Sequence, residues 1–280
     1  MNVEFYIENS YKLSELITKK YSTSFSLATS LLETEKRKAI YAIYGFVRLV
    51  DEIVDSFHSY DKPFLLSNLN EQLQYALENG ISTNTVLAAF ADTVRKYNIS
   101  QKHIHAFMES MKYDLTKTEY TSTEELNTYI YGSADVVGLM CLKVFCNGNQ
   151  VLYDQLKISA QKLGSAFQKV NFLRDLKYDN RELGRTYFPE ITNKQFDKTS
   201  KRHIEQSIEK DFSEAWIGVK QLPGRAKLAV GLAYFYYKTL FDKIKKTKPE
   251  KILSERVRIN NLRKYFILVK VGVMYKTKLI

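Results

Sequence analysis

Cysteine, glycine and proline are scarce in this 280-residue chain, and each shortage excludes a class of structure. Cys141 and Cys146 are the only cysteines. They cannot build a disulfide framework or a four-cysteine zinc site, and they indicate a reducing compartment. With 11 glycines and 4 prolines, the chain has few of the turn signals that an all-β or α/β fold requires. A largely helical protein is therefore expected.

Long hydrophobic runs are missing as well. The first residues carry Glu4 and Glu8 inside an apolar stretch, which is not typical of a signal peptide. The nearest approach to a membrane span, YFILVKVGVMY at 265–275, contains Lys270 and is shorter than the ~18–20 residues that a span needs. It predicts a final core helix or a strand-like tail, with attachment to a membrane surface left open. We expect a cytoplasmic protein with peripheral membrane contact as an open alternative.

The charge of the chain is one-sided. Lysine and arginine number 42 against 31 aspartates and glutamates, which gives a formal net charge of +11 and a pI near 9.3. This balance suits an anionic partner, either a nucleic acid, an acidic membrane or a polyanionic small molecule. The basic residues are spread along the chain without a zinc-finger, RNP-like or basic-zipper pattern, so no nucleic-acid partner is expected.

Apolar residues recur with helical periodicity along almost the whole chain. The predicted helices cover residues 4–18, 34–57, 63–78, 83–97, 101–116, 123–146, 150–180, 202–220, 225–246 and 255–273. Thr34 is a candidate N-cap, and ENG at 78–80 and NGN at 147–149 are candidate C-terminal stops. The one long irregular stretch is 181–201, and no repeat or linker divides the chain. The sequence predicts one all-α domain over 1–280.

Two predicted helices each place a pair of aspartates one turn apart among apolar residues. In VRLVDEIVDSF, at 47–57, the pair is Asp51 and Asp55. In the second helix a polar stripe with steps of three, four and four residues consists of Gln168, Asn171, Asp175 and Asp179. Like charges at i and i+4 repel by roughly 0.2–0.5 kcal/mol even when exposed, and burying them without partners costs more. If the pairs face each other, four carboxylates meet in a cavity and require cations.

The ligand types indicate which cation fits. Carboxylate and amide oxygens without imidazole or thiolate donors suit Mg²⁺, or Mn²⁺, rather than zinc. The histidines form no site, since His103 and His105 are two residues apart and point to different sides of a helix. Mg²⁺ commonly bridges a carboxylate to a substrate phosphate, so a diphosphate ester is the expected ligand. Basic side chains near both pairs are available to bind it: Arg48, Arg174, Arg181 and Arg185.

A metal-bound diphosphate in an aromatic, water-excluding cavity suits the ionisation of an allylic diphosphate. The metal and the arginines would stabilise the departing diphosphate. Tyrosine and phenylalanine faces would stabilise the carbocation, and a dry cavity would prevent its capture by water. Aromatic residues make up 13% of the chain, with 20 tyrosines and 16 phenylalanines, and are abundant enough to line such a cavity.

Several segments then resemble a known family. DEIVD and NFLRDLKYDNRELGRTYFP are similar to the two aspartate-rich motifs of the squalene/phytoene synthases, which are head-to-head prenyl transferases. YSTSFSLATSLL at 21–32 resembles the family's flexible Ser-x-Ser-Phe segment, and YIYGSADVVGLM at 129–140 resembles its Tyr/Gly/Ala/Val-Gly helix. YYKTLFDKI and SERV are similar to its C-terminal diphosphate-binding end. The resemblance covers nearly the whole chain and implies a class I isoprenoid synthase-like helical bundle around a central cavity.

The resemblance also implies roles for individual residues. The implied Mg²⁺ ligands are Asp51, Asp55, Asn171, Asp175 and Asp179. The implied contacts to diphosphate or its hydration are Ser22, Ser24, Arg48, Gln168, Arg174, Tyr237 and Arg256. The implied lining of the prenyl tunnel is Phe25, Tyr41, Tyr129, Ala134, Val137 and Gly138, and Tyr129 joins the four aspartates as a catalytic residue. Asp135 departs from the family, which has a small residue there, and would disturb the tunnel wall if it faced inward.

Members of this family join two identical prenyl diphosphates through a cyclopropylcarbinyl diphosphate. Its reduction by NADPH gives squalene, whereas proton loss gives a central double bond, as in phytoene or dehydrosqualene. DVVGLM resembles the phytoene-forming bacterial members, and Thr29, one turn beyond Phe25, is small enough to leave a deep tunnel. Two geranylgeranyl diphosphates, without NADPH, are the expected substrates. The alternative is farnesyl diphosphate, which would give squalene or dehydrosqualene.

Two other interpretations stay open. One is a basic helical module that binds acidic lipids or assists assembly and carries decayed enzyme motifs; the presence of both aspartate pairs and of Asn171 argues against it. The other is a terpene cyclase, whose Asp-Asp-x-x-Asp and Asn/Ser/Glu motifs this chain does not show. The sequence therefore favours a prenyltransferase.

Overall fold

The structure is a computed structural model that describes residues 2–192 and 195–280. The described residues form α-helices and one π-helical turn, with no β-strand among them. In chain order the elements are α1 (Val3–Tyr21), α2 (Thr23–Thr29), α3 (Thr34–Asp55), α4 (Lys62–Asn79), α5 (Thr85–Tyr97), α6 (Gln101–Tyr113), α7 (Thr123–Ile130), the π-helical turn (Tyr131–Asp135), α8 (Val136–Cys146), α9 (Gln150–Arg181), α10 (Lys198–Val219), α11 (Gly224–Lys246), α12 (Pro249–Ile252) and α13 (Asn261–Lys276). The prediction of an all-α fold is confirmed.

The two predicted C-terminal stops end helices in the structure, whereas the predicted N-cap does not cap one. Gly80 ends α4 in the left-handed region at φ 74°, and Asn147 and Gly148 follow α8 at φ 46° and 84°, as the sequence predicted. Thr34 is not an N-cap, because it is the first residue of α3. The cap position falls on Glu33, whose side chain makes no capping hydrogen bond.

The structure differs from the predicted helix limits at several places, including α12, which was not predicted, and α10, which begins at Lys198 instead of 202. The short helix α2 was not predicted; Ser22 caps it by accepting a hydrogen bond from the Phe25 N–H at 3.3 Å. The helix expected over 123–146 is interrupted by the π-helical turn. The last helix begins at Asn261 instead of 255, because Asn260 caps it there and the preceding residues are irregular.

Two clusters of buried apolar side chains hold the helices together. The first lies among α3, α4, α5, α6, α8 and the start of α9, and includes Phe46 stacked on Phe90 with 4.1 Å between ring centroids. The second lies among α7, α9, α10, α11 and α12, and includes Phe212 and Phe241. Both α9, with 32 residues, and α11 contribute to the two clusters, so these two helices join the two parts of the core.

Two glycines let α9 lie close to the π-helical turn and to α8. A Cβ atom on Gly164 would lie 2.9 Å from the carbonyl oxygen of Ala134, and one on Gly138 would lie 2.9 Å from that of Ala160. A methyl group at these distances would overlap the neighbouring backbone. The glycines therefore fix how close the polar stripe of α9 comes to the predicted tunnel wall.

One segment, Thr123–Cys146, is long and apolar enough by composition to cross a membrane. Residues 265–275 were expected to be the nearest approach to a span, but this segment is longer. In its apolar window 61% is buried, and Val136, Met140 and Val144 are fully buried. It is therefore a core helix.

The last helix, α13, only half fulfils the prediction of a core helix. Ile267 and Val271 point inward and are buried, in a small cluster shared with Leu232 and Tyr236 of α11. The outward face of α13 carries large apolar side chains that are exposed. Its apolar character on both faces is why the sequence pattern indicated a core position.

Candidate active site

One face of α3 carries Tyr44, Arg48, Asp51 and Asp55 at steps of four, three and four residues, all partly buried. Burial, followed by the charge of Asp55, raises the pKa of Asp51 to about 7, and Arg48 opposes the shift. The surroundings of Asp51 therefore disfavour an isolated negative charge. Helical periodicity places Val50 and its apolar neighbours in the core, so this polar face is held in a fixed orientation.

The polar stripe on α9 forms as the sequence predicted. Gln168, Asn171 and Asp175 are partly buried, and Asp179 is 8% exposed. Burial raises the pKa of Asp179 to about 7, and the charges of Asp175 and Asp55 add to the shift. Since Asp55 belongs to α3, its effect on Asp179 places the two aspartate pairs opposite each other.

Arg185 joins the two pairs physically. Its Nη1 atom lies 2.9 Å from Asp55 Oδ1, and its backbone N–H donates to the carbonyl oxygen of Asp179 at 2.8 Å. Its Nη2 atom donates to the carbonyl oxygen of Asp114 at 2.7 Å. The side chain of Arg185 is only 7% exposed. The buried guanidinium group of Arg185 thus links α3 to the segment after α6, and its backbone N–H adds a contact to the end of α9.

Three predicted diphosphate contacts meet the middle of the α9 stripe, at Asn171 and Asp175. Both Asp175 oxygens accept from Arg174, and Asp175 Oδ1 also lies 2.6 Å from Arg256 Nε. Asn171 Oδ1 accepts a hydrogen bond from the Tyr237 hydroxyl at 3.2 Å. Arg174, Tyr237 and Arg256 come from α9, α11 and the segment before α13, so the fold brings together residues that are far apart in sequence.

The other basic and amide residues considered for diphosphate binding, Arg48, Gln168 and Arg181, differ in their exposure and partners. Arg48 pairs with Glu52, and its guanidinium group lies 4.4 Å from the ring centroid of Tyr21. Gln168 is partly buried within the stripe. Arg181 is the last residue of α9 and is exposed. Arg48 is therefore near the α3 aspartates, whereas Arg181 points to solvent.

The Ser-x-Ser-Phe segment covers the start of the α3 face. Ser22 caps α2, Ser24 is partly buried, and the ring of Phe25 stacks on Tyr44 with 4.8 Å between centroids. Tyr41 lies one turn earlier, is 1% exposed, and has charged residues of α1 as its neighbours. The structure therefore brings Tyr44, beside Arg48 and Asp51, to the aspartates, and it does not bring Tyr41 there.

The predicted tunnel wall is partly accessible although it lies between the two apolar clusters. Ala134, Val137 and Gly138 are each partly buried. Apolar side chains of other helices share this state: Val47, Ala160, Leu163 and Phe167. Residual exposure of apolar side chains inside a helix array is expected around a cavity. The role of Ala134, Val137 and Gly138 in a prenyl tunnel stays a prediction.

Asp135 leaves that wall undisturbed. It is 9% exposed, and its Oδ1 accepts a hydrogen bond from the Ser165 hydroxyl at 2.8 Å. Lys169, Lys162 and Asp211 lie near it, so its side chain points toward α9 and α10. The departure from the family pattern therefore belongs to a polar network outside the predicted tunnel.

Sequence reasoning missed Asp114. Its Oδ2 accepts a hydrogen bond from the Tyr129 hydroxyl at 2.9 Å, and its side chain is 6% exposed. Burial raises the pKa of Asp114 to about 7, with Arg185 opposing the shift. Its Oδ1 atom is buried without a hydrogen-bond partner. Asp114 follows α6 without a second carboxylate at i+4, so no periodic signal marked it.

The donor set fits the Mg²⁺ that the sequence predicts. Asp51, Asp55, Asn171, Asp175 and Asp179 offer only oxygen ligands. Across residues 2–192 and 195–280, no three carboxylate, imidazole or thiol side chains are grouped closely enough to hold a metal ion. Asp55 and Asp175 are instead paired with arginines. The raised pKa values of Asp51 and Asp179 indicate that both carboxylates lack sufficient positive charge nearby, which a divalent cation would supply. The ligand set stays a prediction.

Comparison with known sequences decides the family. The model of the family described as squalene/phytoene synthase matches residues 18–263. The chain belongs to the squalene/phytoene synthase family. Chloroplastic phytoene synthase 1 of Zea mays is 30% identical over 258 residues, which are 85% of this chain and 62% of the maize protein. Phytoene synthase of Arthrospira platensis is 28% identical over 286 residues, which are 93% of this chain and 91% of that protein. The chain thus spans less than two thirds of the maize relative.

Solved structures of this family share the helical fold. A dehydrosqualene synthase in complex with ligand superposes with a TM-score of 0.82 at 22% identity, over 97% of this chain and 98% of that chain. Squalene synthase from Alicyclobacillus acidocaldarius superposes with a TM-score of 0.75 at 20% identity, over 88% of this chain and 96% of that chain. At these identities the likeness establishes the shared fold.

Proposed function

We propose that this chain is a prenyltransferase that joins two geranylgeranyl diphosphates head to head, with Mg²⁺, to give phytoene and diphosphate. The observation that carries the proposal is the pair of facing aspartate stripes on α3 and α9, with Arg185 between them and Arg174 and Arg256 at Asp175. An apolar wall beside an oxygen-rich, arginine-bordered site suits a ligand with a diphosphate head and a long hydrocarbon tail.

The residues of the chain have distinct tasks in this proposal. Asp51, Asp55, Asn171, Asp175 and Asp179 would hold Mg²⁺ (Mn²⁺ is compatible), which when bound would stabilise negative charge on the leaving diphosphate. Arginines from α3, α9 and the segment before α13 would orient the same group: Arg48, Arg174 and Arg256. Ser22, Ser24, Gln168 and Tyr237 would complete the polar contacts.

The carbon chemistry takes place against the apolar wall. The C1–O bond of one substrate breaks, and diphosphate leaves with the electron pair. The double bond of the second substrate attacks the resulting cation, and loss of a proton closes a cyclopropane ring. The remaining diphosphate then leaves, the cation rearranges, and loss of a second proton forms the central double bond. Phe25, Tyr44 and Tyr129 offer aromatic faces that stabilise cations without capturing them.

The choice of geranylgeranyl diphosphate rests on two supports. DVVGLM at 135–140 resembles phytoene-forming members, and the relatives from Zea mays and Arthrospira platensis carry the name phytoene synthase. Thr29 is 3% exposed at the end of α2, and its role in tunnel depth stays a prediction. The alternative is farnesyl diphosphate, which would give squalene or dehydrosqualene. We expect no NADPH requirement, a cytoplasmic location and no nucleic-acid partner, with peripheral membrane contact as an open alternative.

Product analysis tests the proposal directly. The purified chain with Mg²⁺ receives geranylgeranyl diphosphate or, in parallel, farnesyl diphosphate with and without NADPH. A C40 product from the first substrate alone is expected. A C30 product would overturn the chain length, with its dependence on NADPH separating squalene from dehydrosqualene. Diphosphate binding without any product would favour the non-enzymatic module.

A further inference from the structure

The outward face of α13 is an unpartnered apolar surface. Leu262, Phe266, Val269 and Val273 follow each other at steps of four, three and four residues, with exposures of 65%, 62%, 47% and 54%. Tyr265 stands beside them and is 61% exposed. Consecutive steps of this kind place the side chains on one face of a helix. We call these five residues the α13 face.

The segment that contains this face carries charge of one sign. From Arg258 to Ile280 the chain has six lysines and arginines and no aspartate or glutamate: Arg258, Arg263, Lys264, Lys270, Lys276 and Lys278. Arg263 and Lys276 stand at the two ends of α13 and are exposed. Aromatic and aliphatic side chains bordered by cations are typical of a helix that lies in the interface of an anionic membrane.

A cleft at the start of α13 extends this cationic border. It has a volume of about 430 Å³ and is lined by Lys243, Arg258 and Arg263, together with Asn260 and Asn261. Lys243 Nζ donates to the carbonyl oxygen of Arg258 at 2.6 Å, which ties the cleft wall to α11. Three cations around one cleft next to the apolar face suit a phosphate-bearing lipid headgroup.

We propose that the α13 face docks on the surface of an anionic phospholipid membrane, with a headgroup phosphate in the adjacent basic cleft. Charge complementarity selects this occupant. A second copy of the chain meeting the same face by two-fold symmetry would bring the cationic borders of both copies together, which is unfavourable without intervening anions. A membrane of acidic lipids supplies both the apolar layer and the negative charge.

The start of α13 lies close to two parts of the candidate active site. Arg256, five residues before the start of α13, contacts Asp175 at 2.6 Å. At the same end of the helix, Lys264 Nζ lies 3.5 Å from the Thr23 hydroxyl of α2, the helix that carries Ser24 and Phe25. Docking through α13 therefore holds the Ser-x-Ser-Phe segment and the Asp175 end of the site near the lipid.

The test is flotation of the full-length purified chain with vesicles of phosphatidylcholine alone or mixed equally with phosphatidylglycerol. The apolar variant Phe266→Ser/Val273→Ser has the matched control Ile158→Ser/Ile217→Ser, because Ile158 and Ile217 are 58% and 57% exposed on α9 and α10. The charge variant Arg263→Gln/Lys276→Gln has the control Lys102→Gln/Lys210→Gln, which removes exposed lysines of α6 and α10. Circular dichroism checks that every variant is folded.

The wild-type chain should float with the mixed vesicles and, at moderate salt, not with phosphatidylcholine alone. Each α13 variant should lower the partition coefficient by about tenfold or more, and both controls should stay within about twofold. Equal flotation with both vesicle types, or equal losses in variants and controls, would overturn the proposal. Unchanged flotation combined with a dimer that Phe266→Ser/Val273→Ser dissociates would identify the face as a protein interface instead. Flotation measures docking without turnover, so it can fail or succeed independently of the proposed reaction.

Discussion

Two polar stripes on α9 look alike in sequence and differ in their partners. The site stripe consists of Gln168, Asn171, Asp175 and Asp179. The network stripe consists of Lys162, Ser165 and Lys169, at steps of three and four residues. Both stripes run through a helix that contributes to the apolar core. Residue type and spacing alone therefore do not separate a binding site from a structural network.

The network stripe is closed by its neighbours. Lys169 Nζ lies 2.7 Å from Asp211 Oδ2 and donates to the Ser207 hydroxyl at 2.8 Å, while Lys162 Nζ lies 3.3 Å from Asp211 Oδ1. Ser165 donates to Asp135 at 2.8 Å. Here two lysines face two aspartates, and the polar groups satisfy one another.

The carboxylates on and around the site stripe carry negative charge that their neighbours do not balance. Asp51, Asp114 and Asp179 all have pKa values raised to about 7, in each case chiefly by burial. Asp114 Oδ1 also lacks a hydrogen-bond partner. Asp135 on the network side also has its pKa raised to about 7 by burial, but its carboxylate accepts a hydrogen bond from Ser165 and lies near Lys162 and Lys169. The two sides of α9 therefore differ in how many partners their buried carboxylates have, and not in the raised pKa itself.

The largest expected effect is the loss of turnover when an aspartate of the site stripe is replaced. Asp175→Ala should lower turnover by about a thousandfold or more, because a metal ligand and the partner of Arg174 and Arg256 are lost together. The free energy of unfolding should fall by about 1–2 kcal/mol, since Asp175 and Arg174 are 20% and 23% exposed and Arg256 is half exposed. Turnover of Asp51→Ala should fall to a similar extent. Steady-state kinetics with urea denaturation measures both, and near-normal turnover in either variant would refute the two-stripe site.

The reverse outcome is expected on the other side of α9. Asp211→Asn removes the carboxylate that contacts the buried Lys169 and leaves only Asp135 near it, so it should lower the free energy of unfolding by about 2–4 kcal/mol. Turnover at a temperature where the variant is folded should stay within about threefold, because Asp211 makes no contact with the site stripe. A variant with unchanged stability would show that the network is not closed as described.

An intermediate effect is expected for the residue pair that borders the site, Asp114 and Tyr129. Asp114 acts as a positioning residue, because it accepts the Tyr129 hydroxyl hydrogen bond. Asp114→Ala and Tyr129→Phe should each lower kcat by about 10–100-fold with little change in KM. The double variant should be no slower than the slower single variant, since both remove one interaction. Additive losses, or failure of Asp114→Asn to restore part of kcat, would show that the two residues act independently.

The smallest effect concerns Asp135 and is a pH dependence. Burial raises its pKa to about 7, with Asp211 adding to the shift and Ser165, Lys169 and Lys162 opposing it. In the unfolded chain the proton is lost near the ordinary pKa, so Asp135 lowers stability progressively as the pH rises from about 4 to about 7. Relative to the wild type, Asp135→Asn should therefore gain about 1–2 kcal/mol in unfolding free energy at neutral pH and little at pH 4. Urea denaturation at both pH values measures this, and equal gains at both would contradict the assignment.

The site could be predicted from the sequence as far as periodic spacing extends. The aspartate pairs and the α9 stripe follow from steps of three and four residues, which dictate a common helix face. Asp114 was not predicted, because it is a single carboxylate after α6. Its contacts with Tyr129 and Arg185 arise only in the folded chain. The role of Tyr41 in the tunnel lining stays a prediction; the contact of Phe25 with Tyr44 depends on the packing of α2 and could not be read from the spacing in α3.

The fold was predictable for a related reason, and its errors have physical causes. Amphipathic periodicity identified the long helices, because most of each helix packs one face inward. The seven-residue α2 is too short for a periodic signal, and its start depends on the Ser22 cap. The inward prediction for α13 was half wrong because its second apolar face has no partner within the described chain.

The π-helical turn at Tyr131–Asp135 has a consequence for the phase of the helix that contains it. A π turn accommodates one extra residue, so Ala134 takes, relative to Tyr129, the direction that an i+4 neighbour has in an uninterrupted α-helix. Tyr129, Ala134 and Gly138, at steps of five and four, therefore share one side, and each meets α9: at Phe172, Gly164 and Ala160 in turn. Without the extra residue, the helix would be rotated by about 100° beyond the turn, and the aromatic and small parts of the wall would face different directions. The inserted residue therefore keeps Tyr129, Ala134 and Gly138 on one side of the helix, facing α9.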